Sequence, residues 1–194
     1  MRAGDVTKEK IKRAALELFV AKGVDGTGVR EIAKAAGITE GAIYRHFKGK
    51  DEMVWQLFNA HHTEYAAKIN ELQAEQAGIA AKLDAIVRGF CRFYDADETL
   101  FRFLLLVQHG QLSKVTLDAM TPVTVLRDMI QDGLDAGEIK AAHVVDATEA
   151  TAWILGILLQ TATFKTYGRL TGPMTARADA LVGACQSVLG VKTI

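Results

Sequence analysis

"GITEGAIYRHFKGKDEM", residues Gly37 to Met53, crowds Tyr44, Arg45, His46, Lys48 and Lys50 around an apolar pair, Ile43 and Phe47, spaced four apart. Residues at i and i+4 share one helix face, so this pair points inward and throws Tyr44 and Arg45 to the outside. A core helix has no use for such an outer face. Upstream, "VREIAKAAGITEGAI" places a small residue, Ala33, four before Gly37, with Ile32, Ile38 and Ile43 as buried positions. That spacing predicts a helix-turn-helix corner, with Ala33 small where the helices cross and Gly37 turning without a β-carbon penalty. Small-residue corners also occur in plain bundles, and here the outer face of the third helix makes the difference. Thr39, Glu40, Gly41, Ala42, Tyr44 and Arg45 combine hydrogen-bonding groups with two positions small enough for close approach to a groove floor or a phosphate. Tyr44, His46 and Lys50 can each bond a phosphate oxygen, and Lys50 stands at a helix N-terminus, itself an anion site.

Charge points the same way. The chain of 194 residues has a formal net charge of zero, but residues 1–50 carry eleven Lys and Arg against six Asp and Glu, and the remainder twelve against seventeen. A basic N-terminal unit on an acidic body suits a polyanion-binding head. With 49% hydrophobic residues the chain can bury a core, and its apolar periodicity is helical throughout, so an all-α fold is expected. "MRAGDVTKEK" lacks the apolar stretch of a secretory signal, and Ala150 to Phe164 is too short to span a bilayer, so a cytoplasmic protein with no membrane partner is expected. Cys91 and Cys185 have no His or Cys at ligand spacing. They read as buried small hydrophobes, with no metal site and no cofactor indicated.

About nine helices are expected: Thr7–Lys22, Gly28–Ala36 led by Thr27 as N-cap, Thr39–Phe47, Lys50 to about Gln76, Ile79–Ala96, Thr99–Gln111, Pro122–Ala136, Ala147–Tyr167 and Pro173–Leu189. Asp51 and Glu52 lie in the first turn of the fourth, where the helix dipole favours acids, and Asp146 and Glu149 have capping-box spacing before the eighth. Two domains follow, a head of residues 1–50 and a helical body of 51–194.

The stretch "GVREIAKAAGITEGAIYRHFKGKDEM", preceded by "IKRAALELFVAKGVDGTG", closely resembles the N-terminal domain of the tetracycline-repressor (TetR/AcrR) family of bacterial transcription regulators, over about residues 7 to 55. The resemblance implies a three-helix head whose third helix enters the DNA major groove, and a helical body that dimerises and binds a small molecule. By motif position it implies that Thr27, Arg30, Thr39, Gly41, Tyr44, His46 and Lys50 touch DNA, mostly phosphates. Glu40, Ala42, Arg45 and Val29 become candidates for base reading. Glu40 either accepts from a cytosine amine or turns into a local salt bridge. Gly49 departs from the family pattern, where serine or another better cap is usual; glycine still serves as an N-cap.

The body carries no comparably sharp motif. "FRFLLLVQHGQL" and "TAWILGILLQTATF" are apolar nearly all round, which means burial on more than one side. Gly156, Ala176, Ala180, Gly183 and Ala184 permit tight pairing with a second copy, in keeping with the family's four-helix dimer interface. Phe90, Tyr94, Phe103, Val107, Trp153, Leu159 and Phe164 are candidates to line an apolar effector cavity, with Gln108, His109, Gln160 and Tyr167 as its few polar groups, although aromatics at helical spacing are also ordinary core. Without an Arg or Lys cluster in this region, a neutral or weakly acidic hydrophobic effector is expected. An enzyme is disfavoured, since Ser113, Ser187, Cys91 and Cys185 sit in no nucleophile elbow and no phosphate-cradling glycine loop occurs. The expected function is a homodimeric, ligand-responsive repressor that binds a palindromic operator in double-stranded DNA. The alternative is a DNA-binding dimer without an effector.

Overall fold

Ile11, Ala14, Ala15, Leu18 and Phe19 recur at helical spacing and wind Ala3–Lys22 into α1. The structure, a computed structural model, describes residues 3–116, 118–144 and 146–191. After α1 come α2 (Val29–Ala36), α3 (Glu40–Tyr44), α4 (Lys50–Ala74), α5 (Ile79–Ala96), α6 (Glu98–Gln111), α7 (Pro122–Asp135), α8 (Ala147–Thr166) and α9 (Ala178–Leu189), with 3-10 turns at Leu112–Lys114 and Met174–Arg177. No strand occurs among the described residues, and the all-helical expectation holds.

The differences lie at helix ends. α3 stops at Tyr44 instead of Phe47, because the N–H groups of His46 and Phe47 both return to the Ile43 carbonyl and tighten the chain into a turn that tucks Phe47 inward. α2 begins after Gly28, not after a capping Thr27. α9 begins at Ala178, since Met174–Arg177 takes the tighter 3-10 winding. The Asp146 carboxylate does accept the Glu149 N–H at 2.9 Å, as its capping spacing predicts. α7 has a cap the sequence reading missed: Thr121 and Thr124 exchange side-chain and backbone hydrogen bonds before Pro122.

Packing divides the chain into two units, each made of two segments. One joins Met1–His61 to Thr99–Leu117, and the other joins His62–Glu98 to Asp118–Ile194. A division at residue 50 leaves α6 with the body; by packing, α6 lies with α1, α2 and α3. The reason is its apolar stripe. Phe103 and Val107 are buried in one cluster with Ile11, Ala15, Phe19, Ile32, Ile43, Phe47, Val54 and Phe58, and Leu100 and Leu104 pack against it. Helical periodicity shows that such a stripe must be covered, but not by what.

In the second unit, α5 packs against α7, α8 and α9 through Leu83, Ile86, Val87, Phe90, Cys91 and Tyr94. At Gly89 a β-carbon would stand 2.5 Å from Leu72 Cδ1 of α4, so a larger residue there would displace that side chain. Long-range polar contacts close the helix ends. Glu138 accepts the Ile79 N–H at 2.6 Å, and Asp95 accepts the N–H groups of Met174 and Thr175 at 2.7 and 2.9 Å and the Thr175 hydroxyl at 2.7 Å. Cys91 and Cys185 are free and fully buried, and burial pushes their thiols up to about 11 and about 12, so neither is a thiolate at neutral pH.

Candidate nucleic-acid interface

The corner between α2 and α3 is built by its glycine. Gly37 ends α2 at φ 69°, ψ 34°, a left-handed conformation that costs glycine little, and the Ile38 N–H reaches back to the Ala33 carbonyl at 3.0 Å. Ile32, Ala33 and Ile43 pack inside this corner. Thr39 then takes an extended conformation and α3 departs from it, without a side-chain cap. The open groove between α2 and α3, about 660 Å³, is lined by Gly28, Arg30, Glu31, Ala33, Lys34, Ile38 and Glu40.

Outside the corner, Arg30, Thr39, Glu40, Gly41, Tyr44 and Arg45 are exposed, Tyr44 at 53%, and His46 and Lys50 are half-buried. A β-carbon at Gly41 would meet nothing within 4 Å, so its backbone is open to close approach. The cations of this surface are unengaged: among the described residues no hydrogen bond or ion pair holds the side chains of Arg30, Lys34, Arg45, Lys48 or Lys50. Elsewhere in the head Lys12 is held by Glu9, Arg13 by Glu17, and Lys22 by Glu31, whose carboxyl is held below its usual range chiefly by the Lys22 hydrogen bond. Glu40 makes no local salt bridge among the described residues.

Two expected contacts are corrected by burial. Thr27 is 2% exposed, and its hydroxyl donates to the Gly23 carbonyl at 2.8 Å and the Leu18 carbonyl at 3.3 Å, so it ties the α1–α2 turn and presents nothing outward. Ala42, 8% exposed, lies beside Ile43 on the inward face of α3 and cannot reach a base edge. Val29 is half-buried against the head core. The sequence reading assigned no role to Lys34 or Lys48. The signal for Lys34 was its place one turn after Arg30 on α2, where i and i+4 share a face. At Gly49, where a better cap was missed, the Glu52 carboxylate accepts the Lys48 N–H and so ties down the start of α4.

The residues expected to line an effector cavity are divided between the two packing units. Phe103 and Val107 belong to the head core, where Phe103 stacks on Phe19. Phe90 and Tyr94 are buried in α5 of the second unit, the Tyr94 hydroxyl 3.3 Å from Thr166 Oγ1. Gln108 bonds the Leu105 carbonyl of its own helix, and His109 is exposed. On α8 the inward face is Ala147, Ala150, Thr151, Ile154, Leu158 and Ala162. Trp153 at 39%, Gly156, Gln160, Phe164 at 48% and Tyr167 form instead an exposed stripe, with Leu159 half-buried beside it. The small residues picked for pairing, Ala176, Ala180, Gly183 and Ala184, are likewise exposed on α9 and the turn before it. A β-carbon at Gly156 or Gly183 would meet nothing within 4 Å.

The family model described as bacterial regulatory proteins, tetR family, matches residues 11–57, the segment that folds into α1, α2, α3 and the start of α4. AcrR of Shigella flexneri is 45% identical over 69 residues, 32% of this chain and 32% of its own length. The fatty acid metabolism regulator protein of Bacillus subtilis is 25% identical over 158 residues, 77% of this chain and 78% of its own. Residues 11–57 thus carry the likeness to the tetR family of bacterial regulatory proteins.

The chain is matched most strongly through its head. The aligned part spans about a third of the first curated relatives' length, 32% of AcrR and 39% of SrpR of Pseudomonas putida. Solved structures extend the likeness of fold to the body. A tetR-family protein from Rhodococcus RHA1 superposes with a TM-score of 0.78 at 20% identity, covering 96% of this chain and 98% of its own. FadR of Bacillus subtilis, solved in complex with stearoyl-CoA, gives 0.75 at 23% identity, covering 95% and 100%. No helix among the described residues is long and apolar enough to cross a membrane.

Proposed function

We propose that this chain is a dimeric transcription regulator of the tetR family that grips a palindromic operator through α2, α3 and the start of α4, and lets go when a small hydrophobic effector binds. The observation that carries the reading is the set of unengaged cations, Arg30, Lys34, Arg45, Lys48 and Lys50, gathered around Tyr44 and the open backbone of Gly41. Cations left free on one face, while Lys12, Arg13 and Lys22 hold partners, suit a ligand with regularly spaced negative charge. Arg45 is the base reader, able to present its planar fork to a guanine, and Lys50, His46, Tyr44 and Thr39 hold phosphates. Glu40 accepts from a cytosine amine.

Dimerisation follows from the exposed stripes of α8 and α9. Trp153, Phe164 and Tyr167 on the one, and Ala180, Gly183 and Ala184 on the other, offer apolar and close-packing surface that a second copy can cover. Two copies set two α3 helices about 34–36 Å apart, one turn of DNA, and an effector that prefers a different spacing shifts the population away. A long acyl chain is the candidate effector class, supported by the curated relative named as a fatty acid regulator and by the stearoyl-CoA held by the FadR neighbour.

The test is selection of bound fragments from a random DNA pool, followed by titration of the selected duplex. The expected result is a palindrome bound by two chains, with affinity falling steeply as salt rises, and release on adding an acyl-CoA. Binding without any sequence preference would overturn the regulator reading. A selected operator that no acyl compound releases would leave a DNA-binding dimer without that effector class.

A further inference from the structure

Arg102, on α6, has an Nε that is sealed from solvent and lacks any hydrogen-bond partner, and among the described residues no other buried side-chain nitrogen or oxygen is left so. Its remaining guanidinium nitrogens make no hydrogen bond or ion pair among the described residues either. A partner is within sequence reach. Glu98 stands one turn earlier on the same helix, in the acid-before-base spacing that favours a surface ion pair, and is exposed, yet the two do not pair. The basic groups at Arg88 and Arg127 behave differently and meet Asp84, Asp179 and Asp128 at 2.7–2.9 Å. A guanidinium with one nitrogen buried and no counter-charge is unfavourable as it stands, and it becomes favourable when an oxyanion arrives.

Resting on the effector-responsive reading above, we propose that Arg102 is the anchor for the anionic head of the effector, which is therefore an amphiphile: an acyl chain ending in a carboxylate, or an acyl ester carrying phosphates. The Nε–H and one Nη–H of arginine form a planar two-donor edge that matches carboxylate and phosphate oxygens alike. Arg102 is also placed away from the stripe that holds α6 in the head core. At about 100° per residue it lies roughly 100° round the helix from Phe103 and about 140° from Val107, on the flank it shares with Leu105. Leu105, about 60° round the helix from Arg102, is apolar and half-buried and suits contact with a hydrocarbon chain. This replaces the neutral effector expected from the absence of an Arg or Lys cluster: one half-buried arginine with an unpartnered Nε suffices.

The experiment titrates the full chain with oleate, oleoyl-CoA and oleyl alcohol by calorimetry, for the wild type, Arg102→Gln and Arg102→Lys, with melting temperature recorded for each and operator release measured for the wild type. The wild type is expected to bind at least one of the two anions about tenfold or more tighter than the alcohol. Oleate or oleoyl-CoA as the preferred ligand identifies carboxylate or phosphate as the anchored group. In Arg102→Gln the anion is expected to fall to the affinity of the alcohol, and in Arg102→Lys, a point charge without the fork, to lie between. A wild type that binds alcohol and anions equally overturns the proposal without any variant. So does a Gln variant with lowered melting temperature and unchanged discrimination, since Arg102 is then structural. A wild type that binds none of the three overturns it together with the acyl effector. Discrimination that depends on Arg102 without operator release upholds the anchor and overturns the effector reading.

Discussion

The ring of Phe103 on α6 stacks on that of Phe19 on α1, centroids 6.0 Å apart and planes 21° from parallel. This pair ties a segment distant in sequence into the core beneath the candidate DNA surface. Phe103→Ala is therefore expected to destabilise the head by about 3–5 kcal/mol, the usual cost of deleting a buried aromatic. Thermal melting and operator affinity measured on the same variant check it. A variant that melts normally and loses only its effector response would return Phe103 to the cavity list.

Lys50 and Arg45 are expected to fail differently. Lys50→Ala should weaken binding to all duplexes alike and lower the slope of log affinity against log salt by about 0.9 per copy, one phosphate contact. Arg45→Ala should cost about 1–3 kcal/mol and relax preference at one base position of each half-site. Anisotropy titrations over a salt series, on the operator and on single-base variants of it, separate the two. Identical loss of base preference in both would refute the assignment.

Thr27 supplies the control. Because its hydroxyl is spent on the Gly23 and Leu18 carbonyls, Thr27→Val should cost about 1 kcal/mol of stability and leave the salt slope of DNA binding unchanged. A lowered slope would mean that the threonine reaches a phosphate after all.

Ala184 is exposed on α9, so Ala184→Arg should leave a single folded chain undisturbed. In a dimer paired through α9 it buries an unpaired charge, a cost of about 3–5 kcal/mol that should shift the protein to monomer with helicity retained. Sedimentation equilibrium beside circular dichroism reads both, and an unchanged dimer would place the interface elsewhere.

Asp95 gives a pH signature. Partial burial pushes its carboxyl up, but the hydrogen bonds from the Thr175 and Met174 N–H groups and the Thr175 hydroxyl outweigh this and hold it below its ordinary value of 3.8. A folded-state pKa below the unfolded one means that the stabilisation is fully present above the unfolded value and is lost as pH falls through the folded one. The stability gap between wild type and Asp95→Asn should therefore be constant near neutrality and shrink once pH drops below about 4. Denaturant midpoints from pH 7 to pH 3 check it, and a gap that widens on acidification would refute the assignment.

The sequence by itself determined the head. The small Ala33, the turning Gly37 and the inward pair Ile43 and Phe47 are local requirements of a helix corner, so spacing alone placed α2 and α3 and turned Tyr44 and Arg45 outward, whereas Ala42, expected on the outer face, is buried. The nine α-helices among the described residues were legible for the same reason, since helical periodicity, caps and glycine stops act within a few residues. Tertiary structure alone decided what covers each stripe. Phe103 and Trp153 look alike in sequence, as aromatics on apolar helices, yet one is sealed against Phe19 and the other stands on an exposed face. Burial also turned Thr27 inward, left Lys34 and Lys48 free, and isolated Arg102 from a Glu98 that its spacing would have paired with it. The physical reason is that backbone propensity and amphipathic period are fixed by near neighbours along the chain. Burial and charge pairing are fixed by whichever distant segment packs alongside.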